Sequence, residues 1–218
     1  MEDLSWSDPY KHYNIVIYDK SGGGGGNGHA NVIPLPNYGR ESHTYLYHII
    51  QNYDNLANLT IFLPGSSKTN AYNKRKRVKR LLRRLEKDRR RGAATAPPRS
   101  YFSCKKEINV AILMKFAINY HISTNKKNRK KSGGVLTPSA IRPYGAWFAA
   151  NIGGEIHEYI AYNSIFAVSR ADILQRPREF YMNLLDELNY MENPETGHYM
   201  ERSWLSIFRP RNPALLTY

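Results

Sequence analysis

Apolar residues along the chain recur with two periods, and each change of period marks an element. Asn14-Ile-Val-Ile-Tyr18 is a short run of β-branched and aromatic residues that ends in Asp-Lys-Ser and five glycines. It predicts a buried strand entering a loop over Ser21 to Pro36. Leu46, Ile49, Ile50 and Tyr53 stand at i, i+3, i+4 and i+7, the stripe of an amphipathic helix over Gly39 to Tyr53. Leu59 to Leu63 then reads as a strand stopped by Pro64-Gly65. Strand, helix and strand in that order predict a βαβ unit of a parallel sheet.

Val78, Leu81, Leu82 and Leu85 repeat the helical stripe inside a strongly basic segment, so an amphipathic helix is expected there. Gly92 to Pro98 has the composition of a linker. Ile108 to Ile122 is apolar almost throughout, and its length favours helix over strand. Asn125 to Gly134 reads as a second basic, polar loop, and Tyr144 to Ala150 is rich in aromatics. Glu158 to Ser169 reads as a strand leading to a short helix over Arg170 to Gln175, with Ser169 as N-cap. Pro177 suits the first position of the next helix, whose inner face is Phe180, Leu184, Leu185 and Leu188. Asn193 to Gly197 breaks that helix, and His198 to Phe208 forms the last one, with Trp204, Leu205 and Phe208 inward. The order predicts one α/β domain over residues 1–218, with a basic helical insertion and linker over 66–100.

Composition refines this picture. The 218 residues are 41% hydrophobic, enough for a core of one domain. No run of about 18 apolar residues occurs, and Met1-Glu2-Asp3-Leu4 lacks the features of a secretory leader. A chain without a transmembrane segment, made in the cytoplasm, is expected. Cys104 is the single cysteine, so no intrachain disulfide forms, and burial as a small hydrophobe is its expected role. Residues 74–91 hold twelve Lys and Arg against Glu86 and Asp88, which is +10 of the chain's net +14. The charge therefore belongs to one segment. Lys74, Arg75, Lys76, Arg77, Arg80, Arg83 and Arg84 are candidate contacts to a polyanion or an acidic partner, with a merely solvated face as the alternative. No aromatic for base stacking lies among them, which argues against sequence-specific readout.

Leu35-Pro-Asn-Tyr-Gly-Arg-Glu-Ser-His43 continuing to Leu56, then Thr60-Ile-Phe-Leu63, resembles the core signature of the domain of unknown function 3431 family, whose members occur in fungi, algae and large DNA viruses. Phe166 to Arg170, Ile173 to Tyr181 and Gly197 to Trp204 resemble the same family's second half. That family in turn resembles glycosyltransferases of the GT-A type. The resemblance implies a single open, mostly parallel sheet flanked by helices, a nucleotide-sugar site at its strand ends, and Mn²⁺ or Mg²⁺ with the sugar nucleotide as cofactors. Two features depart from the family pattern: the chain starts at Glu2-Asp-Leu-Ser-Trp6, where members have a preceding strand, and it carries the basic segment. Both favour the alternative of an inactive virion or minor capsid protein on the same fold, with neighbouring capsid proteins as partners. A nonspecific nucleic-acid binder is a third reading.

The chemistry of the first reading needs acidic oxygens for a metal, yet no Asp-x-Asp occurs. Asp19, Glu155 and Glu158 are the nearest candidates, each also explicable as a surface or capping carboxylate, so the metal ligands stay open. Glu201 is the candidate base toward an acceptor hydroxyl, with Arg202 on phosphate and His198 one turn earlier; the alternative is an ion pair that positions the helix. Arg40, Glu41 and His43 open the first predicted helix, where a diphosphate could be held, and with Asp19 they make up the expected cofactor-binding set. Gly23 to Gly28 matches G-x-G-x-x-G, but no helix start follows, so a flexible loop is expected rather than a dinucleotide site. Neither Gly-x-Ser-x-Gly nor His-Glu-x-x-His is present.

Overall fold

A computed structural model describes residues 4–22, 31–67, 72–91, 98–107, 109–119 and 135–218. The elements are β1 (Ile17–Asp19), β2 (Val32–Pro34), α1 (Arg40–Gln51), β3 (Leu59–Phe62), α2 (Tyr72–Arg90), β4 (Tyr101–Lys106), α3 (Val110–Met114), α4 (Tyr144–Asn151), β5 (Tyr159–Ile160), β6 (Phe166–Ser169), α5 (Arg170–Ile173), α6 (Arg178–Asp186), α7 (Glu195–Phe208) and β7 (Ala214–Thr217).

The strands form two sheets. β1 and β2 pair in parallel as a small ribbon, Ile17 opposite Val32. The larger sheet runs β3-β6-β4, with β5 continuing along the β6 side of β4 and β7 on its other side. Pairs β3–β6, β4–β6 and β4–β5 are antiparallel, and β4–β7 is parallel. The single, mostly parallel sheet of a GT-A-like fold is therefore not the architecture, and the βαβ reading of the first third fails with it. β1 pairs with a strand from the expected loop, and β3 pairs with β6, more than a hundred residues downstream and in the opposite direction.

The reason lies in what covers the sheet. Along β4 and β6, Phe102, Phe166 and Val168 join one core with residues of α1, α4, α6 and α7, such as Leu46, Trp147, Leu184 and Trp204. Tyr101, Ile165 and Ala167 join a second core, with Val78, Leu81, Leu82 and Leu85 of α2 and Ala214 and Leu216 of β7. Side chains alternate between faces along a strand, so a strand covered on both faces reads as a continuous apolar run whatever its direction. The apolar stripe of α2 closes the second face, and those four residues are at most 8% exposed.

Local corrections follow the same physics. The predicted strand from Glu158 to Ser169 is broken into β5 and β6 by a turn at Asn163 and Ser164, both with positive φ. The apolar stretch after Ile108 yields only the one-turn α3, N-capped by Asn109, whose side chain accepts from Ile112 N; Ile108 and residues 120–122 lie outside the described residues. The break predicted at Asn193 to Gly197 is instead the start of α7, with Pro194 at the N-cap and Glu195, Thr196 and Gly197 inside the helix. Ser169 caps α5 as expected, its hydroxyl accepting from Asp172 N at 3.1 Å. The glycine loop at Gly23 to Gly28, most of the linker after Gly92 and the loop from Asn125 to Gly134 fall outside the described residues. No described helix is long and apolar enough to cross a membrane. Cys104 is buried, and loss of solvent pushes its thiol up to about 12.

Candidate functional site

Helix α7 sits at the centre of the molecule, buried along nearly its whole length, and its second turn presents His198, Glu201 and Arg202 at helical spacing. Glu201 is 9% exposed. Its Oε1 accepts the Asn163 N–H at 3.0 Å. That amide points at the carboxylate because Asn163 and Ser164 adopt left-handed backbone, φ 64° and 52°, a conformation that costs energy outside glycine. The turn is clamped from the core. Tyr45 Oη donates to Ser164 O at 3.1 Å, and Trp204 Nε1 donates to Ser164 Oγ at 2.9 Å.

The start of α1 meets this turn of α7. Gly39 and Arg40 are both left-handed, φ 55° and 52°, and Gly39 is packed so closely that an added Cβ would lie 2.7 Å from Leu188 Cβ. This entry angle brings Arg40 Nη1 to 3.4 Å from His198 Nε2; a guanidinium only donates, so Nε2 presents its lone pair. Arg40 Nε also faces Glu41 Oε2 at 3.9 Å, and these side chains are 31% and 20% exposed. They form a partly exposed rim beside buried Glu201, close enough for both charges to act on its carboxyl. Lys20, one residue beyond β1, donates to Tyr38 O at 2.6 Å and Arg40 O at 2.5 Å.

The electrostatics follow from burial. Desolvation first, then the neighbouring Glu41 charge, lifts the Glu201 carboxyl to about 6, against the opposing pull of Arg40, Arg202 and the Asn163 amide. Burial likewise lowers Lys20 to about 7, with Glu41 pulling the other way. Arg202 is held over the Phe116 ring at 3.4 Å and 5.5 Å from that of Tyr162. Its Nη1 donates to His198 O at 2.8 Å, while its buried Nε has no hydrogen-bond partner among the described residues. Such a donor is available to a bound oxyanion.

Of the residues expected from sequence, Glu201, Arg202, His198, Arg40 and Glu41 are brought together here. Asp19 is buried at the end of β1 and accepts the Ser21 N–H at 2.8 Å, a turn contact that sets up Lys20. His43 turns away: its Nε2 contacts Asn189 Oδ1 at 3.0 Å, and burial with nearby Lys20 lowers it to about 4. It positions α1 against the loop before α7. Glu158 pairs with Lys106 at the surface, 3.3 Å apart, and no group of three or more His, Cys, Asp or Glu gathers as a metal cage among the described residues.

The basic segment divides. Arg77 reaches inward to Asn163 Oδ1 at 3.2 Å and Tyr162 O at 3.3 Å, with its guanidinium over the Tyr218 ring at 3.4 Å. It buttresses the turn that holds Glu201. Lys74 bonds Ser66 Oγ, Arg80 donates to Thr217 O and Arg84 pairs with Asp88, while Arg75, Lys76 and Arg83 are exposed. Lys20, Tyr162, Asn163 and Arg77 are the contributors that the sequence reading left out of the site. Asn163 carried a signal, since asparagine inside an apolar run is the residue type that tolerates left-handed backbone.

One sequence comparison assigns the chain to a family, with the match extending over residues 1–215. The chain belongs to DUF3431, a family of proteins of unknown function. No curated protein and no solved structure matches it. A groove of about 500 Å³ in this DUF3431 chain, lined by Met114, Phe148, Gly153, Glu155 and Ile156 among others, shares no residue with the Glu201 cluster.

Proposed function

We propose that the protein is a group transferase acting on a phosphate-bearing donor, of the kind that moves a sugar from a nucleotide diphosphate to a hydroxyl acceptor. One observation carries the reading: a buried carboxylate with proton affinity near neutrality, Glu201, lies beside the partly exposed Arg40 and Glu41 at the meeting of α1 and α7. Glu201 takes the proton of the acceptor hydroxyl as that oxygen bonds to the anomeric carbon, and the bond from this carbon to the diphosphate oxygen breaks. A base whose own proton affinity lies close to the working pH is suited to this step. The negative charge on the departing diphosphate is met by Arg40 and by Arg202, whose Nε has no hydrogen-bond partner among the described residues. Fixed cations in a site with little water stabilise developing charge strongly.

The test is release of UDP or GDP from UDP- and GDP-sugars by the purified chain, with and without Mn²⁺ or Mg²⁺, between pH 5 and 8. The reading expects release that falls off below about pH 6, where Glu201 takes up its proton, and that is lost in Glu201→Gln. No binding and no release at millimolar donor would sink it and make an assembly role the leading one.

A further inference from the structure

The outer face of α2 is the largest feature that the Glu201 cluster leaves unused. Its apolar stripe is consumed by the second core, so the helix is fixed in place and only its polar arc meets solvent. From Lys76 to Arg90 that arc, roughly 140° of the circumference at about 100° per residue, holds Lys and Arg only, with Lys76, Arg80, Arg83 and Lys87 along its middle, Lys79 and Arg84 at its edges, and all exposed. The two acidic residues sit at its margins. Asp88 is drawn to Arg84 at 2.8 Å and to Tyr101 Oη at 3.1 Å, and half-buried Glu86 lies beside Tyr10.

We infer that this face docks duplex DNA by its phosphates, without reading sequence. A convex cationic arc on a helix about 10–12 Å across matches the B-form major groove, about 12 Å wide with phosphates on both walls. A flat anionic membrane meets only the outermost row of such a helix, and the stripe that would insert into lipid is already buried. The A-form groove of duplex RNA is too deep and narrow to admit it. Counterion release drives the association, so affinity depends steeply on salt.

The experiment is fluorescence polarisation of the full chain with a labelled 25-base-pair DNA duplex over a salt series. Parallel titrations use the RNA duplex of the same sequence and vesicles of phosphatidylserine and phosphatidylcholine. With about six phosphates contacted, log K falls against log salt with a slope of about −5, at about 0.9 per phosphate. The triple variant Lys79→Gln, Arg83→Gln, Lys87→Gln lowers the slope by about 3 and weakens binding at least about tenfold. Glu201→Gln binds DNA as the parent chain does, which separates this inference from the transferase reading. Absence of duplex binding at 50 mM salt, equal affinity for the RNA duplex or the vesicles, or an unchanged slope in the triple variant would overturn it.

Discussion

Replacing Glu201 by Gln removes one ionisable proton and little else, because glutamine keeps an Oε1 acceptor for the Asn163 amide. In the folded chain this carboxyl holds its proton up to about pH 6, against an ordinary value of 4.5. Between those values the folded state binds more protons than the unfolded one, so stability falls as pH rises through that window and levels off above it. At about 1.36 kcal/mol per pH unit, the full loss is about 2 kcal/mol. The glutamine variant escapes it. It should match the parent near pH 4.5 and exceed it by about 2 kcal/mol at pH 7.5, which is about 4–8 °C in Tm for a chain of this size. Urea denaturation of both proteins across this range reads the difference directly. Glu41→Gln should shrink the effect, because the Glu41 charge is the second cause of the raised value. A variant less stable than the parent at pH 7.5, or a difference that does not change with pH, would refute the assignment of Glu201 as a strained buried acid.

Three further outcomes follow. Gly39→Ala should cost about 2 kcal/mol or more in urea denaturation, since its Cβ would meet Leu188 Cβ at 2.7 Å on a backbone at φ 55°. Glu195, fully buried, accepts the Ile118 and Ser139 amides at 2.8 and 2.9 Å and pairs with Arg142 at 2.8 Å; these partners hold its carboxyl below the ordinary value despite burial. Its stabilisation is thus present above pH 4.5 and lost as pH falls through the folded value. Glu195→Gln should cost about 3 kcal/mol at pH 7 and progressively less in acid, checked by the same titration. Trp204→Phe removes the donor to Ser164 Oγ and should loosen the turn, seen by NMR as faster hydrogen exchange of the Asn163 amide.

Helices were legible because an amphipathic stripe survives burial of one face: the stripe of α2 read from Val78, Leu81, Leu82 and Leu85 is the one that packs. Strand direction was not legible, because helices cover both faces of β4 and β6 and leave no alternation to read. β4 escaped notice altogether, since Tyr101 to Lys106 mixes Ser and Cys with two lysines, and β7 is four residues just after Pro213. At the cluster, charged residues at helical spacing on α7 and at the start of α1 stood out in the sequence. The contributions of Lys20, Arg77 and Asn163 depend on a backbone turn and on contacts across 85 or more positions for Arg77, which no local pattern carries. The same separation explains why Arg77 read as part of the basic face although it points inward.

Whether Arg40 holds a diphosphate is read by calorimetric titration of the chain with UDP and GDP, beside Arg40→Gln. The parent chain should bind, and binding should weaken at least about tenfold in the variant, as loss of a charge-assisted contact to a diphosphate requires. Absence of binding at millimolar nucleotide, or equal binding by both proteins, would contradict the assignment of the Arg40 rim as a diphosphate site.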